Sequence, residues 1–391
     1  MKDNNKKLMY VFTILFLLVL IFISVASVIT PDAKRSIKEN RFLLQYTPPT
    51  KDTILSGEWF SSIESYCKEQ VIHRDDLLTG YYNFLDHISL KERLGYVHGK
   101  DDYILPVNEY VDDSQSNTDT YGLSQANALE ILQDAADTYG GKVIYLDVPS
   151  KNVLYSETYP AFYNRNDEHE ALFREKTMEN VQKKGITAIE TYDLLKAHKD
   201  EYIYYATDHH YTVLGAYYVY RELLSTINDM DSQSLSFPEW NDLEQDENPD
   251  RLVGSYLQKI GDGGSIDCDH MTFAIPKDMP SYTRYDNGEE CDTPLYDKSV
   301  NDYATFMGGN IANTVVDTNR TSLPDICYIG YSFTNILEMY SVYNFNKVES
   351  IDPRYYEGVM TEYILENKPD YIVVIRNDVY ENNPSNKSKV R

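Results

Sequence analysis

The apolar and polar positions of this chain change their pattern four times. From Leu8 to Ile29 no position is charged, and the run has about the length needed to cross a bilayer core as a helix. Lys2, Lys6 and Lys7, opposed only by Asp3, precede it, a bias that keeps an amino end in the cytoplasm. Residues 1–30 therefore read as a cytoplasmic tip and a transmembrane helix, which makes the chain a single-pass protein of the cell membrane with its main domain extracytoplasmic. Ser24-Val25-Ala26 offers the rival reading of a cleaved signal peptide, although the run is longer than a usual signal core. Residues 31–56 are polar and broken by Pro31, Pro48 and Pro49, as in a stalk.

Beyond the stalk, residues 57–391 alternate between helical and strand periodicity. A helical region is expected over Gly57 to Leu94, and a buried strand over Gly141 to Val148, ended by Pro149. Helices follow at Glu168 to Lys184 and Tyr192 to Lys199, with a short strand Thr187 to Ile189 between them. Val213, Ala216, Tyr217, Tyr220, Leu223, Leu224 and Ile227 recur at helical spacing. Residues 229–302 break the alternation with acidic residues, a Gly261-Asp262-Gly263-Gly264 turn and strand-like pieces such as Met271 to Ile275, and read as an insertion. Alternation resumes with a strand at Asp325 to Gly330, helices at Thr334 to Tyr343 and Glu357 to Asn367, and an almost wholly apolar strand at Tyr371 to Ile375. The pattern predicts an α/β fold, a parallel sheet flanked by helices.

Charge and composition narrow the partners. A formal net charge of −26 disfavours nucleic acid and anionic lipid, so neutral or zwitterionic substrates fit better. The 36 tyrosines offer ring surfaces for sugars, yet most must serve as core or surface filler. Cys67, Cys268, Cys291 and Cys327 show no metal-ligand spacing; Cys268 and Cys291 either pair across one loop or remain free thiols.

Two segments carry candidate chemistry. In Tyr328-Ile329-Gly330-Tyr331-Ser332-Phe333 a strand gives way to a turn and then a helix, which exposes a serine nucleophile beside backbone N–H donors such as that of Phe333. In Thr207-Asp208-His209-His210-Tyr211-Thr212, Asp208 and His210 lie in the loop before the Val213 helix, with Thr212 as its N-cap. His210 would accept the Ser332 proton, and Asp208 would orient and stabilise the charged ring. Ser332 as a simple N-cap, or Asp208 to His210 as a metal-binding cluster, are the plainer alternatives; no metal ligand set at recognisable spacing supports the second.

Together these segments resemble the DHHW family, relatives of the SGNH hydrolase-like proteins that O-acetylate alginate and other exopolysaccharides. Further points of resemblance are Ser36 to Arg41, Val148-Pro149-Ser150-Lys151, Gly215-Ala216, the Tyr303 to Asn310 run and Lys368-Pro369-Asp370. The resemblance implies a permuted SGNH-like fold in which Asp208 and His210 precede the nucleophile Ser332. It implies Asn310 or the Gly309 backbone as further oxyanion donors, and Tyr211 and Lys151 as residues near the substrate. No cofactor or metal is implied. The expected activity is acetyl transfer to a cell-surface polysaccharide through an acetyl-serine, the acetyl group coming from a multi-span membrane O-acyltransferase. A deacetylating esterase with the same triad, or a non-catalytic polysaccharide-binding scaffold, are the alternatives. Tyr211 stands where the family has tryptophan, and Tyr331 where acetyltransferase relatives commonly have aspartate.

Overall fold

The structure is a computed structural model; it describes residues 2–36, 41–88, 92–93, 95–107, 115–161, 163, 167–261, 266 and 269–377. Residues 37–40 of the Ser36 to Arg41 segment, Asp262 to Gly264 of the glycine turn, and Cys268 with its pairing to Cys291 lie outside these. The thiol of Cys291 donates to Asp286 Oδ2 at 3.3 Å.

The chain divides into two compact units, residues 1–91 with 257–266, and residues 92–256 with 267–391. The first holds the long helix Lys2–Ile29, within which Lys6–Ile29 has the length and apolarity of a membrane span or a signal sequence. It is followed by helices Lys51–Leu55, Glu58–Glu69 and Arg74–His87. The Ile72 N–H donates to Ser27 Oγ at 2.9 Å, tying the turn between the last two helices to the end of the apolar one.

The second unit is built on an eight-stranded sheet. Its strands in chain order are β1 (Lys142–Val148), β2 (Thr187–Glu190), β3 (Thr283–Asp286), β4 (Glu289–Cys291), β5 (Asn313–Asp317), β6 (Ile326–Ile329), β7 (Lys347–Ile351) and β8 (Tyr371–Asn377). Across the sheet the order is β4-β3-β5-β7-β6-β8-β1-β2. The strands from β7 to β2 run parallel, and β5, β3 and β4 extend them antiparallel. The sheet is thus mixed: residues 283–291, from the stretch expected as an insertion, complete one edge. Earlier in that stretch, Glu244–Arg251 pairs with His270–Ile275 in a separate antiparallel ribbon.

Helices cover both faces, which is why β6 and the first five residues of β8 read as unbroken apolar runs. Because side chains alternate along a strand, Val143 and Tyr145 of β1 pack on one face with α1 (Gln115–Asp137), α2 (Asp167–Lys183) and, late in the chain, the helix Met360–Asn367. Ile144, Leu146 and Val148 turn to the other face, against α3 (Val213–Asp231) and α4 (Asn335–Asn344). The sequence pattern does not announce α1, whose buried positions include small residues such as Ala126 and Ala136 that make a weak apolar stripe. The last helix begins at Met360, not Glu357, and a tight turn over Ser332–Thr334 precedes α4.

Candidate active site

The carboxyl end of β6 and the loop before α3 meet on the sheet's carboxyl edge. Gly330 closes β6, its N–H donating to Ile351 O at 3.1 Å. A Cβ there would lie 2.1 Å from Ile375 Cγ2, so only glycine lets the chain turn this close to β8. Ser332 follows, 9% exposed, at the start of the turn that leads into α4. Opposite it, a bridge between Tyr204 and Tyr211 closes the hairpin-like loop that carries Asp208, His209 and His210. Thr212 caps α3 as expected, its hydroxyl accepting from Gly215 N–H at 3.4 Å.

Asp208, His210 and Ser332 form one hydrogen-bonded line. His210 Nε2 lies 2.6 Å from Ser332 Oγ, and His210 Nδ1 lies 2.6 Å from Asp208 Oδ1. The other carboxylate oxygen of Asp208 accepts from Ser255 N–H at 2.6 Å. Burial alone would raise the Asp208 carboxyl. The positive potential of His210 and His209 and the bonds from the His210 ring and Ser255 N–H outweigh it, and hold the group well below the usual carboxylate range. His209 faces away from the serine: its Nδ1 lies 2.8 Å from Ser255 Oγ, and its ring sits on His210 at 3.7 Å.

Several partners of this line give no local signal in the sequence. Asp269, fully buried, accepts from the N–H groups of Ala206 and Thr207 at 2.8 and 2.6 Å and from the Tyr202 hydroxyl at 2.6 Å, bracing the loop from behind. Gly254 allows the start of the helix Ser255–Ile260 to approach, since a Cβ there would lie 2.4 Å from the Thr207 carbonyl carbon. Tyr303 stacks on His210 with centroids 3.6 Å apart and an interplanar angle of 4°, fixing the imidazole plane from the side opposite His209.

Two expected substrate contacts are corrected. Tyr211 is fully buried and its hydroxyl donates to the Phe333 carbonyl, so it clamps the serine turn to the histidine loop and does not face substrate. Lys151 is 1% exposed, its ammonium donating to the carbonyls of Tyr205, Ala206 and Asp208 at 3.1, 2.7 and 2.5 Å. Its charge is used to hold the loop backbone, because a buried ammonium is tolerable only when its donors are satisfied. Gly309 is corrected as a backbone donor as well, since its N–H donates to Phe306 O at 3.1 Å. Asn310 is exposed and lines a narrow cleft, with room for about one water (≈ 10 Å³), beside Gly330 and Tyr331. Asn335 holds that wall, its amide donating to Phe306 O at 3.3 Å and Gly309 O at 3.5 Å. Phe333 is buried with its ring 5.1 Å from that of His210, and its backbone is the second residue of the turn from which an N–H donor would come.

Glu338 borders the same cleft and makes a pH prediction possible. Burial pushes its carboxyl up from 4.5 to about 7, against the opposing effects of the Thr334 and Ser350 hydroxyls and the Arg284 charge. A folded-state value above the unfolded one means that the neutral acid stabilises the fold. That contribution is present below about pH 4.5 and is lost as pH rises through about 7. Glu338→Gln, a permanent mimic of the neutral acid, is expected to gain on the order of 2 kcal/mol over wild type at pH 8 and little at pH 5. Thermal melts at the two pH values check it; an equal effect at both would show that the carboxyl does not titrate in this range.

Asp208, His209 and His210 also offer three ligand atoms within 4.8 Å of one another. Both ring nitrogens of His210 already face hydrogen-bond partners, so an ion there would have to displace Ser332 or the carboxylate.

This mixed α/β sheet flanked by helices, with an acid, a histidine and a strand-end serine meeting at its carboxyl edge, is SGNH hydrolase-like. The family described as the SGNH hydrolase-like domain of the acetyltransferase AlgX matches residues 97–261, a segment that contains the Asp208 to His210 loop and ends before Ser332. No curated protein matches the sequence significantly. Among solved structures, a DHHW family protein from Eubacterium siraeum is similar over 76% of this chain and 95% of its own, with a TM-score of 0.61 and 18% identity. Bacillus cereus PatB1, in a structure with a sulfonyl adduct, is similar over 74% of this chain and 97% of its own, with a TM-score of 0.59 and 17% identity. At such identities the likeness is one of fold, and it agrees with the DHHW and SGNH-like resemblance carried by the motifs.

Proposed function

We propose that this chain is a membrane-anchored, extracytoplasmic O-acetyltransferase that moves acetyl groups onto a cell-surface polysaccharide. The observation that carries the reading is the unbroken line Asp208–His210–Ser332. Ser332 Oγ attacks the carbonyl carbon of an acetyl donor while His210 Nε2 takes the hydroxyl proton. The tetrahedral oxyanion is stabilised by N–H groups at the start of the serine turn, with Asn310 beside it. The leaving group departs with the proton from His210, leaving acetyl-Ser332. A sugar hydroxyl then gives its proton to His210 and attacks the acetyl carbon, restoring the serine. Asp208 keeps the ring in the tautomer that presents a bare Nε2 to Ser332 and offsets the imidazolium charge.

The AlgX family description, that of an acetyltransferase, supports the transfer direction. Water in place of the sugar hydroxyl would make the same site an esterase. The donor is assigned to a multi-span membrane O-acyltransferase, because the described residues of this chain include a single helix fit to span a bilayer. The test is mass spectrometry of the purified protein after reaction with an activated acetyl ester. One acetyl group on Ser332, discharged faster by an oligosaccharide than by water, is the expected result, and no adduct on Ser332 would overturn it. Chelation is expected to leave turnover unchanged, because His210 must be free to shuttle a proton. Loss of turnover with a chelator, restored by zinc or manganese, would establish a metal in the Asp208 to His210 loop.

A further inference from the structure

A second cavity, of ≈ 390 Å³, lies beside Thr212, Val213 and Leu214 at the start of α3, within the roughly 300–1,000 Å³ typical of ligand sites. Its lining divides by chemistry: the rings of Tyr202, Trp240 and Phe273, and the polar groups of Gln245, Asp246 and Glu247. The site is pre-arranged. Trp240 packs edge-on against Tyr217 at 5.2 Å, and its carbonyl accepts from the Gln245 amide at 2.9 Å. Phe273 is 2% exposed, and Tyr202 is fixed by its hydrogen bond to Asp269.

The cavity also has a measurable place relative to the reaction. Phe273 packs on Phe306 at 5.8 Å, Phe306 on Tyr303 at 5.5 Å, and Tyr303 on His210 at 3.6 Å. Three ring-to-ring steps link its lining to the imidazole.

We propose that this cavity is a subsite for a neutral sugar residue of the acceptor polysaccharide, outside the acetyl-transfer centre. A pyranose matches its two-sided lining: the C–H faces lie on the Tyr202 and Trp240 rings, with Phe273 buried beneath as support, and the hydroxyls donate to carboxylates and to the amide carbonyl. An anionic polymer would meet Asp246 and Glu247 and a net charge of −26. A purely apolar ligand would strip water from these groups without replacing its hydrogen bonds. Asp246 is joined to Lys298 at 2.6 Å, which lowers the charge of the site, and its other oxygen accepts from the Glu247 N–H at 2.9 Å. Through Tyr202 and Asp269, an occupied subsite touches the brace of the catalytic loop.

This inference rests on the polysaccharide reading above, and its test separates the two. The full-length chain in detergent is titrated calorimetrically with glucose, mannose and N-acetylglucosamine tetramers, as wild type, Trp240→Ala and Trp240→Phe. Turnover of p-nitrophenyl acetate is measured on the same samples. Wild type is expected to bind at least one tetramer, Trp240→Ala to bind it tenfold or more weakly, and Trp240→Phe to recover most of the loss. All three are expected to hydrolyse the small ester within twofold of one another, because Trp240 packs on Tyr217 and Gln245 and lies outside the Asp208–His210–Ser332 line. No binding of any tetramer by wild type, or equal binding by wild type and Trp240→Ala, overturns the subsite. Small-ester turnover that survives Ser332→Ala overturns instead the serine reading, whatever the sugars do.

Discussion

Ser332→Ala is expected to lower acetyl transfer by roughly 10⁴-fold or more while leaving the protein folded. On the proposed mechanism the change deletes the atom that would carry the acetyl group, so what remains is positioning and oxyanion stabilisation without a covalent step. Its structural cost is small: one hydroxyl is lost at a turn, and the buried His210 Nε2 loses its 2.6 Å partner, worth about 1 kcal/mol. His210→Ala is expected to match it, because members of a catalytic unit fail together. Asp208→Asn is expected to retain somewhat more activity, and His209→Ala to stay within about tenfold of wild type, because His209 Nδ1 faces Ser255 and not the serine. Small-ester turnover of the purified variants and acetylation of the surface polymer in cells, at matched expression, are the measurements. Full acetylation by Ser332→Ala would move the chain to the scaffold reading, and equal damage from His209→Ala and His210→Ala would mean that the base has been misassigned.

Lys151→Met is expected to show the largest loss of stability, about 3–5 kcal/mol, or a fall in melting temperature on the order of 5–10 °C. Methionine keeps most of the volume but removes an ammonium that satisfies three buried carbonyls, those of Tyr205, Ala206 and Asp208. Two nearby rings add to the loss, with the ammonium 4.9 Å from the centre of Tyr256 and 5.8 Å from that of Tyr103. Arginine is not expected to rescue it, since a planar guanidinium cannot occupy a point shared by three converging carbonyls. Because the Asp208 carbonyl is one of the three, small-ester turnover should fall with stability even below the melting transition. An unchanged melting curve would show that the loop holds itself without the ammonium.

The sequence by itself determined what depends on neighbours along the chain. The apolar run that became Lys2–Ile29, the buried strands β1 and β8, the helix that begins after Thr212, and the Asp-x-His and Gly-x-Ser segments are all legible because periodicity, capping and turn chemistry act over a few residues. Only the tertiary structure decided which of these residues touch. The 2.6 Å approach of His210 to Ser332 spans 122 positions, and the bracing of the loop by Asp269 and Ser255 comes from beyond α3 and involves residue types common in any loop. The roles of Lys151 and Tyr211 were misread for the same reason: a charged or polar side chain next to a motif looks like a substrate contact until burial is known. In the fold it is a hydrogen-bond donor turned inward, since each such group excluded from water must find a partner within the protein. The two outermost antiparallel strands at the sheet edge were equally hidden: Thr283–Asp286 and Glu289–Cys291 are short and polar, and pairing across the sheet, not local preference, made them strands.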